Sequence, residues 1–174
     1  DVYKRQGLNN ADSTFGGVLA GAGNIVKNGT GALTLTGANT QTGAFNVGGG
    51  SLNVNGSLAS SQVNVGAGAT LAGSGSVAGT ANIATGGALS ATTGQTLTLG
   101  GLAMNTGSQF NVSLGAPTPQ ALVQVNGNVT LAGDLNVTDK GGFGVGVYRL
   151  LGYTGTLTNN GLALGTLPPG TLPA

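Results

Sequence analysis

The sequence predicts an all-β protein in which short strands wind into a coil, a parallel β-helix whose turns stack on one another. Three observations predict it. Glycine supplies 36 of the 174 residues and charged residues only 5%, against a usual glycine share of ~7%. Apolar and small polar residues alternate in short runs throughout the chain. In "TLAGSGSVAGTANIATGGALS", residues 70–90, the aliphatic residues Leu71, Val77, Ile83 and Leu89 fall six apart.

Each interior glycine costs a helix about 1 kcal/mol relative to alanine, and no stretch places apolar residues at i, i+3, i+4 and i+7 over three turns. The runs "ALTLTG" (32–37), "SLNVNG" (51–56), "QVNVG" (62–66), "TLTLGG" (96–101), "NVTLAG" (128–133) and "DLNVTD" (134–139) have the period of two that marks a strand. Gly, Asn, Ser or Asp brackets each run, as turns require. These strands are too short, and their turns too frequent, for a large independent sheet. In a coil of three short strands per turn, each strand pairs with its counterpart one turn above and below, and burial comes from stacking.

Val65 to Ile83 and Leu71 to Leu89 span 18 residues, and Leu58 to Val77 spans 19, so a coil of 18–20 residues is expected. Glycine at the bends is expected to supply positive φ. Coiling all 168 residues after the leader would give about eight or nine turns, a rod roughly 40 Å long at ~4.8 Å per strand. The six-residue beat is also that of left-handed β-helices, found in acyltransferases and some ice-binding proteins. Only four hexads, from Leu71 onward, keep it, and such acyltransferases use a histidine that this chain lacks; that reading is set aside.

Composition bounds the chemistry. A net charge of +1 offers no attraction to nucleic acid or anionic lipid. Without cysteine there is neither a disulfide framework nor a thiolate metal site. No run of ~18 apolar residues predicts a transmembrane helix. Met104 is the only methionine, so the chain is expected to be an internal fragment. Its first six residues, "DVYKRQ", carry three of the nine charges and no glycine. They resemble a translated sequencing adapter and are set apart as a non-native leader.

With no His, Cys or Glu, the usual acid–base and nucleophile arrangements cannot be assembled. The carboxylates are Asp1, Asp12, Asp134 and Asp139. Asp134 and Asp139 are expected to bracket the strand "LNVT" at its turns rather than form a pair. "GGFGVG" (141–146) has the glycines of a calcium β-roll without its aspartate, and "GSGSVAG" (73–79) lacks the spacing and the Lys of a phosphate loop. Asn28, Asn55, Asn111, Asn128 and Asn136 begin N-x-S/T triplets, but stacked amide ladders at coil bends are the expected use of such asparagines. Lys140 and Arg149 read as solvated charges. No catalytic, cofactor-binding or metal residue is expected, and no cofactor, nucleic acid or small-molecule substrate.

Residues 27–58, "KNGTGALTLTGANTQTGAFNVGGGSLNVNGSL", resemble the passenger-associated repeat of bacterial autotransporters. Lys27, Gly29, Gly31, Leu33, Thr34, Leu35, Gly37, Asn39, Thr40, Thr42 and Gly43 fall in register with its K-x-G-x-G-x-L-T-L-x-G-x-N-T-x-T-G pattern, and Leu52 and Val54 supply the strand after it. Leu71, Gly73, Gly75, Val77 and Gly79 resemble the coil that follows such repeats. Residues 127–170 look like the C-terminal end of autotransporter passengers, the autochaperone, through Gly142, Gly146, Tyr148, Leu150, Tyr153, Gly155, Leu157, Asn160, Gly161, Leu162, Gly165 and Pro168.

The resemblance implies a right-handed parallel β-helix with a C-terminal cap: coils over 7–105, then coils and cap over 106–174, cut before an outer-membrane β-barrel. That barrel, the implied partner, would lie downstream of Ala174, and this fragment could not export itself. The implied location is the bacterial cell surface or outer membrane, or secretion after passage through the periplasm. The implied role is a non-catalytic stalk that assists folding and secretion. The alternative is an adhesin or self-association module binding host or neighbouring-cell surfaces. Phe110, Phe143, Tyr148 and Tyr153 are four of the seven aromatics, so the C-terminal part is expected to be the more stable.

Overall fold

The computed structural model describes residues 4–6, by their backbone, and residues 10–169. Among them every regular element is a strand, and no helix is long and apolar enough to cross a membrane. The strands wind into a coil with three faces, and all the pairing between coils is parallel.

Three ladders define the faces. On the first, Lys4, Ile25, Phe45, Val63, Ala81, Leu102, Val129 and Leu157 align from coil to coil. The second aligns Ser13, Leu33, Leu52, Leu71, Leu89, Phe110, Leu135 and Leu164. The third aligns Asn39, Leu58, Val77, Leu99, Val125 and Tyr153. Lys4–Gln6, inside the charged leader, forms the end rung of the first face on Ile25–Lys27. An open strand edge pairs through its backbone, whatever the side chains.

About six coils complete all three faces, fewer than the eight or nine expected. Coil length explains the difference. Leu71 and Leu89 are 18 residues apart, as the beat requires, but Leu89 and Phe110 are 21 apart. Leu135 and Leu164 are 29 apart. The later coils spend the extra residues on loops, the longest among the described residues running from Lys140 to Leu150 between the strands Val129–Asp139 and Leu151–Tyr153.

Inward columns of aliphatic residues fill the coil, with Leu52, Leu71 and Leu89 all fully buried, as are Val63, Ile83, Leu97 and Leu99. Phe45 and Phe110 are each one rung of a column. The core thins toward the C-terminal side. No hydrophobic residue beyond Val137 is fully buried among the described residues. Of the four later aromatics only Phe110 is buried; Phe143 and Tyr148 are half-buried and Tyr153 is 44% exposed. Burial here requires a coil on both sides, and the strand Leu157–Leu164 has one on a single side among the described residues.

The bends are glycine-rich for a second reason besides positive φ. Gly37, Gly56 and Gly75 stack at the corner between the second and third faces. A Cβ on Gly56 would lie 2.2 Å from the carbonyl oxygen of Gly37, and one on Gly75 would lie 2.0 Å from that of Gly56. None of the three has positive φ. They are glycine because a carbonyl of the preceding coil occupies the space of the side chain.

Candidate functional surface

Inside the coil, five polar residues are buried among the described residues: Lys27, Asn39, Gln41, Ser60 and Ser108. Three of them belong to one turn. In the strand Ile25–Lys27, period two turns Ile25 and Lys27 inward together, and Lys27 stands in line with Val47 of the next coil. Its Nζ donates to the carbonyls of Gly49, at 2.8 Å, and Gly29, at 3.2 Å. Burial lowers the Lys27 pKa below its ordinary 10.5, and the nearby Asp12 carboxylate pulls it partly back.

Asn39 accepts from the Leu19 N–H at 2.9 Å and donates to the carbonyls of Gly37 and Ser57, at 3.0 and 3.1 Å. Gln41 donates to Gly43 at 3.0 Å, and its Oε1 accepts from the Ser60 hydroxyl. A buried polar group left unpaired costs ~1–3 kcal/mol, and every buried side-chain nitrogen and oxygen among the described residues has a partner. These side chains therefore fasten one coil to the backbone before and after it. Sequence reading placed Lys27 and Asn39 in a motif without seeing that they point inward. The alternation Ile25-Val26-Lys27 was the available signal.

Outside the coil, Asn46, Asn64 and Asn82 stack on the first face. Asn64 Nδ2 donates to Asn46 Oδ1 at 2.8 Å, and Asn82 Nδ2 to Asn64 Oδ1 at 2.9 Å. On the second face Asn136 donates to Asn111 at 2.9 Å. The amide ladders expected at bends thus sit mid-strand. A bend changes shape as coils lengthen, whereas strand residues keep the interstrand spacing a ladder needs. Asn128, by contrast, is at a bend, and its Oδ1 accepts from the backbone N–H of Thr156 at 3.0 Å.

The third face carries a shallow trough of about 410 Å³. Its outward positions are Ser57, Ser76 and Thr98 beside Ala59, Ala78 and Gly100, with Asn126 at one end. The charged side chains are dispersed. Asp134 follows the corner at Gly133 and Asp139 ends the strand, so they bracket Leu135–Thr138. Asp139 Oδ1 accepts from the N–H of Gly141 at 2.7 Å. Lys140 Nζ donates to the Thr93 carbonyl at 3.3 Å, and Arg149 is exposed. No three acidic, His or Cys residues among the described residues form a group that could hold a metal ion.

The loop from Lys140 to Leu150 exposes Val145 and Val147. It is fixed by Tyr148, whose ring lies 5.2 Å from that of Phe143. The Tyr148 hydroxyl accepts from the Gly144 N–H at 3.0 Å and lies 3.1 Å from the carbonyls of Gly115 and Gly144.

Residues 25–54, which include the turn fastened by Lys27, Asn39 and Gln41, match the passenger-associated-transport-repeat. The chain is also similar to the adhesin BmaC autotransporter of Brucella suis biovar 1 (strain 1330). The two are 45% identical over 83 residues, which takes in 43% of this chain and 2% of that protein. The chain thus spans a small part of its relative's length. The repeat, the shared identity and the stacked parallel coils support one assignment, a passenger region of a bacterial autotransporter.

Proposed function

We propose that this segment is a non-catalytic stalk of a type V secreted passenger, a rigid run of coils that displays other parts of the passenger and helps it fold during export. The observation that carries this reading is where the polar chemistry goes. Lys27, Asn39, Gln41 and Ser60 bond to backbone or to one another inside the coil, and Asn46, Asn64 and Asn82 bond to one another outside it. Eight strands in a ladder at ~4.8 Å spacing make a rod roughly 35 Å long. A coil that fastens itself to the coil on either side lets folding spread from one rung to the next. In this reading the partner is the outer-membrane β-barrel of the whole protein, and the segment lies at the cell surface or is released from it.

The test places the chain between an N-terminal epitope tag and an outer-membrane autotransporter barrel and follows the tag on intact cells. We expect surface display with the native chain and loss of it with Leu71→Asp, which buries a charge in the middle of a column. Display that is indifferent to Leu71→Asp would refute a folding role in export. A second reading, adhesion, is favoured by the similarity to an adhesin autotransporter and by the Asn ladder on the first face. Cell aggregation or host-cell binding by the purified chain, abolished by Asn46→Ala/Asn64→Ala/Asn82→Ala, would support it, and no binding would count against it.

A further inference from the structure

The sequence contains four Asn-Gly pairs, at 28–29, 55–56, 126–127 and 160–161. Such a pair is chemically labile. The glycine nitrogen, once it has lost its proton, attacks Cγ of the asparagine. The new N–Cγ bond forms as Cγ–Nδ2 breaks, and ammonia leaves a cyclic succinimide. Water then opens the ring at either carbonyl, giving aspartate or, with one methylene added to the main chain, isoaspartate. Glycine favours ring closure because it brings no side chain and the widest choice of backbone angles. A fold suppresses the reaction where it holds the glycine N–H in a hydrogen bond or packs the asparagine side chain.

From these contacts we infer that Asn126–Gly127 is a site of spontaneous deamidation and main-chain isomerisation, and that the fold shields the other three pairs. At 55–56 the Gly56 N–H donates to the Leu35 carbonyl at 3.0 Å, and Asn55 Oδ1 accepts from the Ser74 N–H at 3.3 Å. At 160–161 the Gly161 N–H is taken up by Asn159 Oδ1 at 3.1 Å. At 28–29 the Asn28 side chain is half-buried, its Oδ1 set against Gly48 of the next coil in space that a Cβ there would need. Asn126 is exposed, and its side chain has no hydrogen-bond partner among the described residues. Among the described residues the Gly127 N–H has none either, whereas its carbonyl accepts from the Gly155 N–H at 3.0 Å.

The product alters a stacked corner. Asn126 N–H is anchored to the Leu99 carbonyl at 2.8 Å, one coil back, and Gly127 O to Gly155, one coil on. An isoaspartate lengthens the main chain between these two anchors. A Cβ at Gly127 would already meet the Gly100 oxygen at 2.2 Å, so the corner has little room to absorb it. Either product also brings a carboxylate to the end of the trough beside Thr98 and Gly100.

The purified full chain, held folded at mildly alkaline pH and sampled over time, is to be examined by peptide mass mapping and by labelling with an isoaspartyl methyltransferase. The exchange of amide for acid should appear at Asn126 several-fold ahead of Asn28, Asn55 and Asn160. Asn126→Gln should keep the circular dichroism of the native chain and remove the fastest phase. In denaturing urea the four rates should converge. Modification of Asn55 as fast as Asn126 in the folded chain would overturn the inference, and so would a ranking that persists in urea.

Discussion

Two glycines separate the two uses this fold makes of the residue. Gly56 lacks positive φ and stacks between Gly37 and Gly75, whereas Gly68 has φ +74° and nothing within 4 Å of the place a Cβ would take. In Gly56→Ala the new methyl would stand 2.2 Å from the Gly37 oxygen and 2.6 Å from that of Thr36. An ordinary carbon–oxygen contact is about 3.3 Å, so the coils must part locally by about 1 Å. Two bonds span that gap, Gly56 N–H to Leu35 at 3.0 Å and Ser57 N–H to Gly37 at 3.2 Å. Losing both costs about 1–3 kcal/mol net, and lifting neighbouring Leu58 and Val54 from their columns adds to it, for a total near 3 kcal/mol. Gly68→Ala should cost only the left-handed backbone penalty, about 1–2 kcal/mol, and Gly68→Asn less, since asparagine tolerates that region. Urea unfolding followed by far-ultraviolet circular dichroism ranks the variants. Amide exchange shows whether Gly56→Ala loosens the coils around residues 35–58 first, as nearest-neighbour stacking requires. If Gly56→Ala proves no more destabilising than Gly68→Ala, the stacked-carbonyl explanation fails.

The remaining predictions address the polar groups. Asn39→Leu matches the side chain in size but strands the Leu19 N–H and takes a donor from the Gly37 and Ser57 carbonyls, and should lower stability by about 1–3 kcal/mol in the same unfolding assay; an unchanged midpoint would show that the inner amide is dispensable. Lys27 has a folded pKa below its unfolded 10.5, so within that window the unfolded chain holds more protons and stability should rise with pH. Lys27→Met should be less stable than the native chain and should lose that rise, whereas a rise that persists in the variant would assign it to another group. Asn64→Ala, which breaks both rungs of the outer ladder, should cost about 1–2 kcal/mol in thermal unfolding. Tyr148→Phe should leave the melting of the coils unchanged while speeding amide exchange and proteolysis between residues 140 and 147; equal rates in the two proteins would remove the tyrosine as the tether of that loop.

Much of the fold was legible because its two periods are set by covalent geometry. Alternation along a strand puts Leu33 and Leu35 on one side, and the 18-residue spacing from Leu71 to Leu89 repeats the coil. The number of coils was not legible. The sequence marks the columns only where insertions are absent, and the segment between Leu114 and Val123 adds length without an aliphatic beat. The inner polar residues were half legible: parity turns Lys27 inward, but its acceptors, Gly29 and Gly49, are known only once the coils are stacked. The asparagine ladders were foreseen and misplaced, since composition does not tell a bend from a strand.

The repeat motif and the stacking share one physical origin. A coil built from aliphatic columns alone has little to fix its axial order, because Leu52, Leu71 and Leu89 are interchangeable rungs and each would accept either of the others as a neighbour. Gln41 and Ser60 break that degeneracy, because their buried bond joins two side chains on successive coils. Asn39 tightens the same turn through the Leu19 N–H on one side and the Ser57 carbonyl on the other, and Lys27 through the Gly49 carbonyl. A slip by a whole coil would part Gln41 from Ser60, and a buried polar group left unpaired costs ~1–3 kcal/mol. The turn that matches the repeat therefore acts as a register mark in an otherwise uniform stack, and one such mark can align the coils on both sides because each coil fixes the next.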